Sequence, residues 1–328
     1  MSTIGLIGLL VAFFATALGA VALLVGHLLG GRSAMRTADG CVQGNAAENL
    51  SYGGRVAVVL SFICLTVCCS VLVICFMTGS MQIQYVLDNH SNDTGALAWL
   101  YRLAGLWAGR EGSLLFWAWL ISLFGCIVSL RDISKMRALD NVVVLVIAVV
   151  LAAFAGVLLF SDTNMPFAVT GDQYLDNGKI SSAAVQTLGM NSLLEHWAMA
   201  IHPPMLFAGY AGLTVPFAYA IAALAVNDAS DAWVRCSTRY VLVSWLFLTA
   251  GIGLGAVWAY TCLGWGGYWG WDPVENASLL PWLVGVALLH SFTVYRKRGT
   301  FKRWSIMCAC VTFSFVILGT FITRSGLV

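Results

Sequence analysis

Eight apolar runs, each long enough to cross a lipid bilayer, constrain this chain more than any other feature of its sequence. A backbone inside lipid must satisfy its own hydrogen bonds, and a helix does so within one segment. The sequence therefore predicts an all-α, polytopic bundle of about eight transmembrane helices, forming one integral membrane domain over 1–328. The predicted spans are 4–29, 56–77, 113–130, 141–160, 203–226, 240–262, 273–295 and 304–322.

Lysine and arginine are divided unevenly between alternate loops. Of the 17 basic residues, 13 lie in the loops 30–55, 131–140, 227–239 and 295–303. The positive-inside rule predicts that these loops are cytoplasmic. The opposite loops and both termini then face outward, which in a Gram-negative bacterium is the periplasm.

A tryptophan-rich stretch, GWGGYWGWDPVEN, fills residues 264–276 between two apolar runs. Aromatic faces stack on flat molecules, and glycine lets the backbone approach them closely. The density of both residue types exceeds that of an ordinary interfacial aromatic belt. The stretch therefore predicts a site for a large, flat ligand on the outer side. Its key residues are Trp265, Trp269, Trp271, Gly264, Gly266, Gly267 and Gly270.

The end of this stretch also carries a helix-start signal. Asp272 fits the N-cap position, Pro273 the first helical position, and Glu275 the third position after the cap. Asp272 and Glu275 can therefore serve as structural caps. A capped helix end beside the aromatic stretch also makes a rigid rim whose dipole favours anionic groups.

Two histidines are candidate metal ligands. His202 opens the sequence IHPPM, and the following proline disfavours helical geometry, which predicts a helix start at Pro203. His202 would then lie at the outer boundary, level with the tryptophan-rich stretch. His290 lies about 27 Å deeper, counting about 1.5 Å per residue from Asp272. The two therefore cannot bind the same metal atom; a hydrogen bond to a neighbouring helix is the alternative for His290. His27 and His90 receive no role, and a contact to the same ligand as His202 is the minor alternative for His196.

Two outer segments are long enough to fold over the membrane surface. Segment 95–110 has apolar residues at helical spacing, and two interpretations stay open: an amphipathic interfacial helix, or part of the third transmembrane helix. Segment 161–195 is polar and is predicted to be an ordered outer loop.

Five blocks of sequence carry a resemblance to a known family. The blocks are GREGSLLFW (109–117), AIHPPMLFAGYAG (200–212), WGGYWGWDPVENASLLPWL (265–283), LLHSFTVYRKRGTFKRW (288–304) and LGTFITRSGLV (318–328). They resemble the N-terminal half of the CcmF and NrfE-type heme lyase subunits of cytochrome c maturation, which carry a tryptophan-rich WWD signature for heme handling. The blocks keep the family's order, and residues 1–108 match in hydropathy alone.

The resemblance implies a function in cytochrome c maturation at the bacterial inner membrane. A CcmE-type chaperone would deliver heme, and a CcmH/CcmI-type subunit would present the apocytochrome for covalent attachment. The resemblance makes His202 an axial ligand of this heme in transit and His290 a ligand of a b-type heme within the membrane, with no other metal and no nucleic acid. The heme platform that it implies comprises Trp265, Trp269, Trp271, Asp272, Gly266, Gly267 and Gly270.

The sequence departs from the family at two places. Arg110 stands where the family has histidine in the Gly-X-Glu-Gly block, and it can pair with a propionate or a carboxylate but cannot bind iron. Full-length members continue beyond the position of Val328 and supply a second histidine for each heme. A complementary C-terminal portion is therefore an expected partner.

Two other functions are weighed against this one. A heme transporter predicts an internal repeat and helices broken at the midplane, neither of which the sequence displays. A b-type respiratory electron-transfer subunit predicts paired histidines at similar depth, whereas His290 is the deep histidine here.

Overall fold

A computed structural model describes residues 1–36, 44–131, 138–228, 230–264 and 266–324. Eight of its helices are long and apolar enough to cross a membrane, namely α1, α2, α5, α6, α8, α9, α10 and α11. The predicted all-α, multi-pass fold is confirmed. The helices are α1 (Ser2–Arg36), α2 (Gly44–Thr78), α3 (Gln84–Asn89), α4 (Ala98–Ala108), α5 (Arg110–Leu130), α6 (Ala138–Phe160), α7 (Ser182–Thr187), α8 (Trp197–Ala225), α9 (Ala232–Thr261), α10 (Pro273–Arg298) and α11 (Lys302–Arg324).

Helix α8 is the centre of the bundle, since it packs against α4, α5, α6, α9 and α11. Helices α1 and α2 pack on each other at one side, and α10 and α11 do so at the other. Large side chains such as Trp117, Tyr219 and Trp233 are fully buried between them. The helix that carries His202 is therefore enclosed by other helices of the bundle.

The predicted start of α8 at Pro203 is wrong. The helix begins at Trp197, and His196 caps it by accepting a hydrogen bond from the Ala198 backbone N–H at 3.2 Å. The prolines remove helical hydrogen bonds one turn inside this end, but burial of Ala198 and Ala200 keeps the first turn helical. His202 therefore lies within α8 rather than ahead of it.

Glycines bring α8 and α9 into close contact. A Cβ atom at Gly209 would lie 2.9 Å from the Ser244 carbonyl oxygen, and one at Gly251 would lie 3.0 Å from the Leu206 nitrogen. Small residues at such positions let two helix backbones approach each other within lipid. The contact fixes the spacing between the two helices that flank the candidate site.

Segment 95–110 forms a separate short helix, α4, and is not part of α5. The chain turns at Gly109, whose backbone is extended and whose N–H donates to the Tyr85 hydroxyl at 3.0 Å. A Cβ atom at Gly112 would lie 2.3 Å from the same hydroxyl oxygen. The break therefore depends on two glycines that fit around one tyrosine, and α4 lies against α2, α5 and α8.

Segment 161–195 is ordered by short elements. Strands β1 (Leu175–Asp176) and β2 (Lys179–Ile180) form a two-stranded antiparallel hairpin. Its turn residues, Asn177 and Gly178, both have positive φ, as an Asn-Gly type I′ turn requires. Helix α7 and three 3₁₀ turns complete the loop.

Candidate functional site

A cavity of about 350 Å³ lies among the ends of α8, α9, α10 and α11 that adjoin the tryptophan-rich loop. Its volume falls in the range of small-molecule sites, roughly 300–1,000 Å³. Most of its wall is apolar, and α4 closes one side. Its aromatic and polar lining residues are Trp107, His202, Phe207, Tyr210, Trp258, Trp269, Asp272, Glu275, Ser278, Thr320 and Thr323.

His202 is held in one orientation by α9. Its Nδ1 lies 2.8 Å from the Gly251 carbonyl oxygen, and since a carbonyl only accepts, Nδ1 carries the proton. A neutral ring protonated at Nδ1 has its free lone pair on Nε2. The helix contact therefore leaves Nε2 as the nitrogen that a metal would bind.

Two further residues of α9 shape the space around this ring. Trp258 stacks on it, with ring centroids 6.3 Å apart and an interplanar angle of 21°. A Cβ atom at Gly255 would lie 2.8 Å from Cε1 and 2.9 Å from Nδ1 of His202. The absence of a side chain at Gly255 therefore makes room for the imidazole.

His196 has the opposite tautomer. Its Nδ1 accepts the capping hydrogen bond from Ala198, so in the neutral ring the proton is on Nε2. Neither nitrogen then offers a free lone pair. His196 is thus a cap, whereas the ring of His202, six residues later, has its lone pair on Nε2.

Among the described residues of the tryptophan-rich loop, one aromatic residue belongs to the cavity wall. Trp269 lines the cavity, and its indole packs edge-on against Trp271 with centroids 6.0 Å apart. Trp271 is 70% exposed and adopts a positive φ of 57°, which is uncommon for a bulky residue. Trp265 lies outside the described residues.

The predicted capping box is present at the start of α10. The Asp272 carboxylate accepts from the Glu275 backbone N–H at 2.6 Å, and Glu275 accepts from the backbone N–H groups of Asp272 and Gly270. Both carboxylates also line the cavity. The helix start and the loop are therefore joined by one set of hydrogen bonds.

The other predicted platform residues lie apart from the cavity wall. Gly266, Gly267 and Gly270 are not among the residues that line the cavity. The backbone N–H of Gly270 donates to the carboxylate of Glu275, which does line it. Arg110 also lies off the wall; it donates to the Thr163 carbonyl oxygen at 3.1 Å. Its Nε is buried without a partner among the described residues.

His290 lies elsewhere in the molecule. It is exposed on the surface of α10, eighteen residues beyond Asp272, and it has no hydrogen bond within the part of the chain that the structure describes. The bonds of its helix neighbours, such as Ser291 to Leu288, stay within α10. His202 lines the cavity and His290 does not; that the two serve different hemes stays a prediction.

Hydrogen bonds join the loops beside the cavity to each other. His90 contacts the Val185 carbonyl oxygen at 3.1 Å, and Ser91 donates to the Glu195 carboxylate. The Trp258 indole donates to the Leu193 carbonyl oxygen at 3.1 Å, which ties this loop to α9.

Burial raises the pKa of the Tyr101 phenol, and the nearby carboxylates of Asp93 and Glu195 add to this effect.

Sequence reasoning missed several residues of the site. Gly251 and Gly255 stand four residues apart, a spacing that is typical of close helix contacts in membranes, and this signal could have been read. Trp107 and Trp258 carry no such signal, because tryptophan is common near every membrane boundary.

Comparisons with known proteins agree with this architecture. Residues 107–328 match the model of the cytochrome c assembly protein family. The chain is 38% identical to the cytochrome c-type biogenesis protein CcmF of Haemophilus influenzae over 293 residues, which are 88% of this chain and 42% of that protein. It is 39% identical to NrfE of the same organism over 282 residues, 86% of this chain and 41% of NrfE.

A solved structure extends the match to the whole fold. A chain described as cytochrome c heme lyase CcmF superposes with a TM-score of 0.79 at 32% identity, covering 99% of this chain and 47% of that one. The present chain spans about two fifths of the length of the curated relatives that it matches. Family model, identity and fold agree, and the chain belongs to the cytochrome c assembly protein family, together with the CcmF- and NrfE-type biogenesis proteins.

Proposed function

We propose that this chain is the part of a cytochrome c heme lyase that receives heme in its cavity and holds it for covalent attachment to apocytochrome c. The observation that carries the proposal is the hydrogen bond from His202 Nδ1 to the Gly251 carbonyl oxygen. This bond fixes the tautomer and raises the basicity of a metal-binding imidazole. It supports His202 as an axial ligand of heme iron.

The cavity walls suit a porphyrin. Trp258, Trp269 and Phe207 supply apolar aromatic surface, and Trp271 extends this surface outward. The remaining platform residues, Trp265, Asp272 and the three glycines at 266, 267 and 270, would shape the loop at its edge.

The proposed chemistry needs orientation more than acid or base groups. A bound heme supplies two vinyl groups, and each adds an apocytochrome cysteine thiol across its double bond, with S–C and C–H bonds formed and no leaving group. The chain's residues hold the ring through His202, exclude water with apolar walls, and leave the outer side open. Arg110, which has a buried Nε without a partner among the described residues, would pair with a carboxylate nearby.

We propose a second heme at His290. A histidine exposed on an apolar helix surface is unfavourable in lipid unless a ligand or a neighbouring helix satisfies it. A b-type heme in the membrane, whose other ligand comes from a complementary C-terminal portion, meets that need and would act as reductant for the incoming iron.

The remaining proposals concern place and partners. The chain would lie in the bacterial inner membrane with the tryptophan-rich loop in the periplasm. A CcmE-type chaperone would deliver heme to that side, and a CcmH/CcmI-type subunit would present the apocytochrome.

Substitution of the two histidines tests both heme sites. With the complementary portion co-expressed, we expect His202→Ala to abolish cytochrome c assembly while the membrane heme spectrum stays. His290→Ala should instead remove that spectrum. His196→Ala is the matched control, since it removes a cap and leaves the proposed ligand. Normal cytochrome c assembly in His202→Ala would refute the ligand role.

A further inference from the structure

His90 is a buried histidine whose two ring nitrogens both face backbone carbonyl oxygens. Its Nδ1 lies 2.7 Å from the Leu87 carbonyl oxygen, and its Nε2 lies 3.1 Å from that of Val185. The side chain is 5% exposed. Since a carbonyl oxygen only accepts, both bonds form together only when both nitrogens carry a proton. The arrangement therefore fits an imidazolium, whereas a neutral ring makes one of the two bonds.

The two bonds of His90 join different parts of the chain. Leu87 lies three residues earlier in α3, so that bond is local and satisfies a carbonyl at the helix end. The bond to Val185 reaches α7, 95 residues along the chain. A neutral ring that keeps its proton on Nδ1 retains the shorter, local bond and loses the one to α7.

The loop after α7 packs closely on His90. The His90 carbonyl oxygen accepts from the Met190 backbone N–H at 2.8 Å, and Asn92 donates to the Val185 oxygen at 3.2 Å. A Cβ atom at Gly189, whose φ is 130°, would lie 2.9 Å from the His90 carbonyl oxygen and 3.2 Å from Cε1 of its ring. The ring therefore lies directly against the backbone of this loop.

The segment 185–195 continues from this contact to the cavity. Leu194 lines the cavity wall. The Leu193 carbonyl oxygen accepts from the indole N–H of Trp258, which stacks on His202. A shift of the segment would therefore move Leu194 and displace the acceptor of the Trp258 indole, and both residues border the space around the proposed ligand.

The titrating group at this contact is His90 itself. The ionisable side chains on the adjoining elements are Asp88 on α3, Asp93 in the next loop, Tyr101 and Arg102 on α4, Arg110 and Glu111 on α5, and Glu195 and His196 at the far end of the segment, while α7 has none. In the part of the chain that the structure describes, the imidazole bonds to backbone carbonyls alone. Histidine gains and loses its proton between about pH 5 and 8, so the bond to Val185 depends on pH in that range.

We propose that His90, with a proton on both nitrogens, is a positioning residue that holds the segment 185–195 against α3 and so fixes the cavity wall at Leu194 and Trp258. This inference deepens the proposed function and rests on it where heme binding is concerned. The protonated ring makes both bonds, so the hold is complete at low pH. It is lost as the pH rises through the range in which histidine titrates.

Hydrogen–deuterium exchange of the ligand-free chain measures this hold directly. The full chain in detergent is labelled at about pH 6 and about pH 8, on either side of the usual histidine titration, with exchange times scaled to the intrinsic rates. Mass spectrometry follows the peptides that cover 185–195. We expect their protection to fall roughly ten-fold from the lower to the higher pH, as for a lost bond from a charged donor. In His90→Gln the protection should be the same at both pH values, because an amide donates without titrating.

His27→Gln is the matched control. It makes the same replacement in α1, outside the segment and its contacts, and it should keep the full pH response. His196 and His202 are present in the parent chain and in both variants, so the comparison cancels their contributions.

Heme titration by absorbance connects the hold to the cavity. The chains carry His290→Ala so that one proposed heme site remains, and they are titrated at the same two pH values. We expect the heme affinity of the parent, divided by that of His90→Gln, to fall several-fold from the lower to the higher pH.

The outcomes separate this inference from the function beneath it. An equal pH response of the segment in the parent and in His90→Gln would overturn the inference, as would a relative heme affinity that does not follow the exchange. If the parent binds no heme at either pH value, the proposed function fails, and the exchange experiment alone decides whether His90 holds the segment.

Discussion

At the scale of single residues, the candidate site depends on the close contact between His202 and Gly255. The histidine ring fills the space that a side chain at position 255 would take, and its Nδ1 reaches Gly251 across the same helix contact. The position of the proposed ligand is therefore set by two residues that have no side chain.

Gly255→Ala tests this dependence. The added methyl group would lie within 3 Å of the imidazole, so the ring must move and its bond to Gly251 is disturbed. We expect heme affinity at the cavity to fall at least about ten-fold, the equivalent of roughly 1.4 kcal/mol. Absorbance titration of the purified chain measures it.

Gly253→Ala is the control for that substitution. No atom lies within 4 Å of a Cβ placed there, and both changes replace a glycine by alanine in α9. Both therefore alter helix propensity in the same way. Equal heme affinity in the two variants would contradict the role of Gly255.

The sequence predicts the chemistry of single residues better than their surroundings. The IHPPM motif points to His202, but the tautomer depends on a carbonyl 49 residues away on another helix. Trp107 lines the cavity because α4 packs against α8, which is a property of the packed structure.

At the scale of elements, the sequence predicts the start of α10 correctly. Asp272, Pro273 and Glu275 stand at the spacing that a capping box needs, and the box is local enough to be read without any tertiary contact. The same cap binds Gly270, so the loop and the helix end are held together.

Asp272→Ala separates this structural role from a role in heme binding. Loss of the cap costs about 1 kcal/mol, so we expect a lower Tm in detergent. Asp272→Asn keeps a capping oxygen and removes the charge, and its Tm should stay near that of the parent chain. A weaker heme affinity in Asp272→Asn at an unchanged Tm would show that the carboxylate also acts on the ligand. An unchanged Tm in Asp272→Ala would contradict the capping role.

The start of α8 is where local reasoning fails. The rule for residues before proline predicts a boundary at Pro203, but the helix extends back to Trp197. The cap at His196 and the burial of Ala198 and Ala200 outweigh the missing hydrogen bonds. These contributions come from packing against other elements, so the tripeptide around His202 could not reveal them.

For the whole molecule, hydropathy predicts the number of spans and leaves their arrangement open. Transmembrane helices are apolar on all faces, so no periodic pattern marks which face is buried. Small residues such as Gly209 and Gly212 let α8 pack closely against its neighbours at the centre of the bundle. The sequence alone does not reveal which residues they contact.

The orientation of the bundle is testable with reporter fusions. We expect alkaline phosphatase to be active when inserted at Gly178, in the hairpin turn, and inactive at Gly299, which follows Arg296, Lys297 and Arg298. Green fluorescent protein at the same positions should give the reverse pattern. Phosphatase activity at Gly299 would overturn the proposed orientation.

The hydrogen bond between His202 and Gly251 joins helix geometry to the electronic properties of the proposed ligand. The stronger this bond is, the more electron density the imidazole donates to a metal, and the lower the reduction potential of that metal becomes. The donor and the acceptor belong to different helices, and glycines such as Gly209 and Gly251 let the two backbones approach closely. A small tilt of α9 against α8 would therefore change how readily an iron held by His202 accepts an electron.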